Sequence, residues 1–378
     1  LFIVLIAALF FVNLKKLNIH MIIAFKKLHY RVLINNILGG VSKLGATLIF
    51  WMMGSGLLAA FYGFLVSAAI VGIVSLVVVH AKVLAVWSFG KGGPTQTERL
   101  LTYSLPLFFT GLVTMLMGWI DTFMLGYLRT PKDVGIYNSA LLVASFTTLS
   151  SQLVSPLLIP VLSEQQGIGN TEKAKQVFLI ATKWIILLTI PVAALILFFG
   201  GNIIDLLFGD QYEAALTAAI ILVPGFGAVN LAISFRSLLQ AKDKVKLIFR
   251  IALFVNLLNV LLNLILIQAY GITGAAAATA TSQLLQMFLL MFCVRKMVDM
   301  GGLSKQAARI GVSFLLPIGL LYLSAPWLRP WFQGHGGLLI ILQLLFYLLL
   351  SLALCYLTGV LRVELGYLRL YLKTASAR

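Results

Sequence analysis

RVLINNILGGVSKLGATLIFWMMG, residues 31–54, is an apolar run with a single interior charge, Lys43. A helix needs roughly 20 such residues to cross a hydrocarbon core about 30 Å thick. The run has that length and lacks the alternation of a barrel strand, so it reads as a transmembrane helix. Lys43 stands twelve residues from Arg31, about 18 Å along a helix rising 1.5 Å per residue. That is too deep for easy snorkelling to either surface. Asn36, Gly39, Gly40, Lys43 and Thr47 recur at three- and four-residue intervals and share one stripe of the helix. Such a stripe is expected to border an interior cavity, where Lys43 serves either as half of an intramembrane ion pair or as a contact for an anion.

The rest of the chain repeats the pattern. Over 378 residues, 61% are hydrophobic, 10% are charged and the mean hydropathy is +1.04, a composition that cannot hide its apolar surface as a soluble globule. An all-α polytopic membrane protein is expected. Its spans fall at a partial 1–14, then 31–54, 57–79, 101–127, 135–163, 177–200, 213–241, 247–269, 273–294, 307–326 and 337–361, about eleven in all. The chain opens on Leu1 inside an apolar run, without an initiator Met, and is expected to be a fragment lacking earlier helices. Lysines follow that run instead of preceding it, which argues against a signal peptide.

Basic residues set the orientation. With 15–30 cytoplasmic, alternate loops collect Lys26, Lys27 and Arg31, then Lys82 and Lys91, then Lys173 and Lys175, then Lys242, Lys244 and Lys246, while the opposite loops hold only Arg129, Lys132 and Arg329. This is the positive-inside pattern of a cytoplasmic (cell) membrane protein. The net charge of +17 therefore expresses topology and attraction to anionic lipid, not nucleic-acid binding. Residues 15–30, mixing lysines with Leu17, Ile19 and Phe25, are expected to lie in the headgroup layer. Residues 80–100, with Gly90-Lys91-Gly92-Gly93-Pro94, look like a linker. Two Gly- and Ala-rich reversals, near Gly56-Leu57-Leu58-Ala59-Ala60 and Gly271-Ile272-Thr273-Gly274-Ala275, echo each other. They read either as traces of a duplicated transporter or as ordinary tight hairpins.

Trp119-Ile120-Asp121-Thr122-Phe123-Met124-Leu125-Gly126 followed by Gly135-Ile136-Tyr137-Asn138, with Leu207-Phe208-Gly209-Asp210-Gln211-Tyr212, Leu239-Gln240-Ala241-Lys242 and Asn263, resembles the polysaccharide (lipid-linked oligosaccharide) flippases. These belong to the multidrug, oligosaccharidyl-lipid and polysaccharide exporter superfamily. The resemblance implies a two-lobe helical transporter. In that scheme 1–80 is the second half of an incomplete first lobe, 81–100 a cytoplasmic linker, 101–296 a six-helix second lobe, and 297–378 two additional helices with a cytoplasmic tail.

Several polar residues inside spans are candidates for the pathway. Arg236 lies about five residues from a cytoplasmic helix end and either snorkels out or faces a cavity, where its planar fork suits phosphate. Asp121 shares a face with Thr110 and Thr114, and either plays an interfacial role, pairs with a cation such as Lys43, or binds a proton or sodium ion for coupling. Asn256, Asn259 and Asn263 form a ladder at spacings of three and four that either glues helices or contacts sugar hydroxyls, and Gln152, Gln283 and Gln286 admit the same two roles. No HExxH, Walker loop or nucleophile elbow is present. Cys293 and Cys355 occupy separate spans with no partner spacing. No enzyme activity, cofactor or metal is therefore expected.

The expected function, implied by the resemblance, is export of a polyprenyl-diphosphate-linked oligosaccharide by alternating access. Lys43 and Arg236 would contact the anionic headgroup, with Asn36, Asn256, Asn259 and Gln152 lining the sugar path and Asp121 coupling an ion. The alternatives are a multidrug or cation antiporter of the same superfamily, or a polytopic glycosyltransferase or polysaccharide polymerase.

Overall fold

The computed structural model describes residues 2–25, 27–83, 97–328 and 336–359. The chain divides into two compact units, Leu1–Glu98 and Arg99–Arg378. Among the described residues the regular structure is helical, and nine helices are long and apolar enough to cross a membrane. Most of the expected spans reappear. Helices also stand at Gly301–Leu328 and Gly336–Leu357, where spans 307–326 and 337–361 are expected, while residues 360–361 and most of the expected linker, residues 84–96, lie outside the described residues.

The smaller unit contains α1 (Phe2–Ala24), the single turn α2 (Leu28–Arg31), α3 (Gly39–Met52) and α4 (Ala59–Val78), with a π-helical segment Val32–Leu38 leading into α3. Here the sequence reading needs two corrections. The first helix does not stop at residue 14 and give way to a surface segment. It runs on to Ala24, and its candidate span Ile6–Ala24 includes Lys15 and Lys16. Helix geometry satisfies the backbone whatever the side chains are, so two lysines do not end a helix if their head groups reach a polar space. The second correction concerns register. A π turn adds a residue relative to α geometry, which leaves Asn36 exposed and brings Asn35 to the recess beside Gly39 and Lys43.

Helix α4 packs against both α1 and α3. Small and hydroxyl residues make this possible, as expected where lipid removes the hydrophobic drive and close packing must hold helices together. Asn18 Nδ2 donates to Ser75 Oγ at 3.0 Å, joining α1 to α4, and Ser42 Oγ meets Ser67 Oγ at 2.8 Å, joining α3 to α4.

The larger unit comprises all of α5 (Thr97–Leu128) but its first two residues, then α6 (Pro131–Ser145), α7 (Leu149–Gly167), α8 (Thr171–Phe208), α9 (Ala215–Ala241), α10 (Val245–Tyr270), α11 (Ile272–Arg295), α12 (Gly301–Leu328) and α13 (Gly336–Leu357). The local signals are chemical. Thr130 and Asp133 form a capping box, with Pro131 inside it, to open α6, and the Asn170 side chain caps α8 by accepting from Lys173 N. The expected span 135–163 is two helices, α6 and α7, joined by a 3₁₀ turn at Phe146–Thr148. α8, at 38 residues, is about 57 Å long and exceeds a bilayer core. α11 packs along α9 and α10, and α8 lies against α7, α9 and α12. Ile310, Phe314 and Tyr347 of α12 and α13 bury a cluster with Ile186, Leu187 and Ala194 of α8.

The echo between the two Gly- and Ala-rich reversals extends to backbone detail. Gly56 and Gly271 both take positive φ, +53° and +59°, and a glycine soon after each meets the preceding helix. A Cβ on Gly63 would stand 2.7 Å from Thr47 N, and one on Gly274 would overlap Leu266 O outright. Both positions require glycine so that the helices can touch backbone to backbone.

Candidate functional site

Five helices of the larger unit, α5, α6, α9, α10 and α11, surround a cavity of about 590 Å³. Each contributes a stripe at helical spacing: Thr114, Gly118 and Asp121 from α5; Asn138, Leu141, Leu142 and Ser145 from α6; Phe226, Val229, Ile233 and Arg236 from α9; Val255, Asn256 and Asn259 from α10; Thr279, Ser282, Gln283 and Gln286 from α11. Residues three and four apart in a helix fall on one face, so these stripes place amides, hydroxyls and two charges on a common wall. Gly225 lets α9 approach α11 closely, since a Cβ there would lie 2.7 Å from Ala280 Cα.

Arg236 faces this cavity. The residue is half-buried, and its Nε is sealed from solvent without a hydrogen-bond partner. The same holds for Asn256 Nδ2 and Gln283 Oε1. Buried polar atoms are nearly always satisfied, and each unmet one costs about 1–3 kcal/mol. Three such groups, two donors and one acceptor, stand on one wall with their capacity unused.

Asp121 is buried among the helices of the larger unit. It is 6% exposed and is held by neutral donors on every side. Asn263 Nδ2 donates to its Oδ1 at 2.6 Å, Tyr137 Oη donates to Oδ2 at 3.1 Å, and the Thr279 hydroxyl donates to Oδ2 as well. Asn263 Nδ2 also donates to Asn259 Oδ1 at 3.1 Å. Among the described residues no lysine or arginine pairs with this carboxylate. The amide ladder thus divides: Asn263 is glue, tying α10 to α5 through Asp121, while Asn256 and Asn259 line the cavity.

The other candidates lie elsewhere. Gln152 is exposed on α7, its Nε2 3.5 Å from Thr148 Oγ1, and does not line this cavity. Lys43 and Asn36 belong to the smaller unit, where Asn36 Oδ1 accepts from Asn35 Nδ2 at 3.0 Å. The sequence reading passed over Tyr137, Asn138, Thr279 and Ser282 as site residues. A tyrosine and hydroxyls inside spans were the available signal.

A polytopic helical membrane protein with a polar cavity inside one helical unit is the class that this fold and site define. The chain belongs to the family described as Polysaccharide biosynthesis protein, whose model matches residues 2–217. It is 28% identical over 235 residues to a protein named "Probable low-salt glycan biosynthesis flippase Agl15" from Haloferax volcanii, covering 62% of this chain and 50% of that protein. It is 26% identical over 252 residues to "Probable flippase AglR" of the same organism, covering 65% and 51%. The chain thus spans about half the length of the curated relatives it matches. Among solved structures it is similar to "Lipid II flippase MurJ, inward closed conformation", with a TM-score of 0.65 at 17% identity over 95% of this chain and 73% of that one. It is also similar to "Crystal structure of MATE in the bent conformation", with a TM-score of 0.59 at 16% identity over 72% and 62%. These structures share the fold, and the resemblance read from the helix motifs holds at the level of family.

Proposed function

We propose that this chain is part of a flippase that carries a polyprenyl-diphosphate-linked oligosaccharide across the cell membrane for surface polysaccharide synthesis. The relatives named as flippases support that reading. The single observation that carries it within this chain is Arg236, an arginine that lines a cavity among apolar helices with an unused buried donor. The difficult part of such cargo is its anionic, hydrated head, since the polyprenyl tail can remain in lipid. A guanidinium offers two parallel donors to a phosphate, and Asn256, Asn259, Gln283 and Gln286 offer neutral bonds to sugar hydroxyls without the desolvation cost of charge. Lys43, in the smaller unit, is a separate candidate for contact with an anion.

Asp121 is the proposed ion-coupling group. A buried carboxylate with only neutral donors is costly to keep charged, so its occupancy by a proton or sodium ion can bias the two states of an alternating-access cycle. A cation antiporter is the less favoured reading, because the carboxylate on this wall is already engaged while the guanidinium is not. The test is complementation of a flippase-null strain by the full-length protein with Arg236→Met. Loss of glycan export with normal membrane insertion supports the reading, and unchanged export contradicts it.

A further inference from the structure

The smaller unit holds a second polar recess, about 140 Å³, lined from α1, α4, the π-helical segment and α3. Lys15 of α1 and Lys43 of α3 both line it, together with Asn35, Ser67 and Phe64. Lys15 precedes the end of α1 at Ala24 by nine residues, about 14 Å, and Lys43 follows Arg31 by twelve, seven of them in the π-helical segment. Both helices are anchored to α4 by the Asn18–Ser75 and Ser42–Ser67 hydrogen bonds, so the pair is presented by a braced frame. Lys43 Nζ lies 5.9 Å from the centroid of the Phe64 ring, at the outer limit of a cation–π contact.

The charge balance is one-sided. Residues 1–97 contain no aspartate or glutamate, and Glu98 is the first carboxylate in the chain. Neither Lys15 nor Lys43 has an ion-pair partner among the described residues. Lys15 is half-buried and Lys43 exposed where they border the recess, so the recess carries two positive charges and no carboxylate. A shared anion neutralises that like charge. At about 140 Å³ the recess has room for a phosphate group.

We propose that Lys15 and Lys43 form a two-ammonium clamp for a single lipid-borne phosphate group, with Asn35 and Ser67 supplying neutral hydrogen bonds. The phosphate comes either from a polyprenyl diphosphate, in which case the clamp rests on the flippase reading above, or from the head of an anionic bilayer phospholipid.

The test uses full-length protein in nanodiscs of neutral lipid, on an Arg236→Met background so that only the small recess reports. Binding of geranylgeranyl diphosphate, geranylgeraniol and phosphatidylglycerol is measured by native mass spectrometry. The clamp predicts that Lys15→Ala and Lys43→Ala each weaken one phosphate-bearing lipid about tenfold, and that the double variant loses less than the product of the two because both contact the same group. Lys16→Ala, one residue away and exposed, and binding of the neutral alcohol should not change. A loss confined to geranylgeranyl diphosphate identifies the carrier as the source, and one confined to phosphatidylglycerol identifies the bilayer. If Lys15→Ala matches Lys16→Ala for both lipids, the clamp is wrong. Should Lys15→Ala lose monodispersity, Lys15→Gln replaces it under the same criterion. Impaired glycolipid transport in Arg236→Met with unaltered lipid binding in Lys15→Ala sinks the clamp alone. The reverse pair of results sinks the Arg236 reading and leaves the clamp standing.

Discussion

Arg236→Met should make the protein more stable and less active at the same time. In the structure the Arg236 Nε is sealed without a partner, a deficit of about 1–3 kcal/mol for the resting fold. Methionine fills similar space without that deficit, so stability should rise by about 1 kcal/mol, or about 1 °C in Tm for a chain of this size. The functional loss runs the other way. A guanidinium gripping a phosphate makes two charge-assisted bonds at roughly 1.5–3 kcal/mol each. Losing about 3 kcal/mol of that grip lowers kcat/KM about 150-fold. Arg236→Lys keeps the charge and loses the fork, for a fall of about tenfold. The assay is flipping of a fluorescent polyprenyl-diphosphate glycan in proteoliposomes, paired with thermal unfolding in detergent. A Tm that falls by several degrees while flipping is retained would mean that Arg236 braces the helix, and the reasoning would fail.

Asp121→Asn preserves size and much of the bonding but removes the charge, so it should fold normally and lose dependence of transport on the ion gradient. Transport that still tracks the gradient in this variant removes Asp121 from coupling. Asp121→Leu removes the bonds from Asn263, Tyr137 and Thr279 to the carboxylate and should cost about 1–3 kcal/mol or more, seen as a drop in Tm. Gly274→Ala drives a Cβ into Leu266 O, which the α10–α11 hairpin cannot absorb. It should abolish monodisperse expression, and a well-folded variant would contradict the packing described. Arg129→Ala removes guanidinium bonds to Ile267 O and Gln268 O at the end of α10. It should lower Tm through about 1–3 kcal/mol of lost bonding, with kcat/KM unchanged because the residue does not line the cavity.

Most helices were legible because membrane spans announce themselves by length and apolarity. What the sequence concealed was where polar residues go. Lys15 and Lys16 resembled a helix end because nothing local shows that a recess awaits Lys15 beside Lys43, on a helix from a later part of the chain. The stripe through Asn36 assumed α-helical register, and a π turn at Val32–Leu38 handed the position to Asn35. The neighbours of Asp121 were hidden because they stand 16, 142 and 158 residues away, and pairing over such separations leaves no mark in local spacing. Asn256 and Asn259 share a face by their three-residue spacing, and with Arg236 they line one cavity. Gln152, singled out only as an amide within a span, is exposed on α7 away from that cavity, which shows how little composition says about rotation within a bundle.

The most direct measurement is a cryo-EM structure of the full-length protein with a bound polyprenyl-diphosphate oligosaccharide. The account predicts diphosphate density within hydrogen-bonding reach of the Arg236 guanidinium, with sugar density against Asn256 and Gln283. A glycolipid bound with its diphosphate outside that cavity, and Arg236 unchanged beside it, would contradict the account.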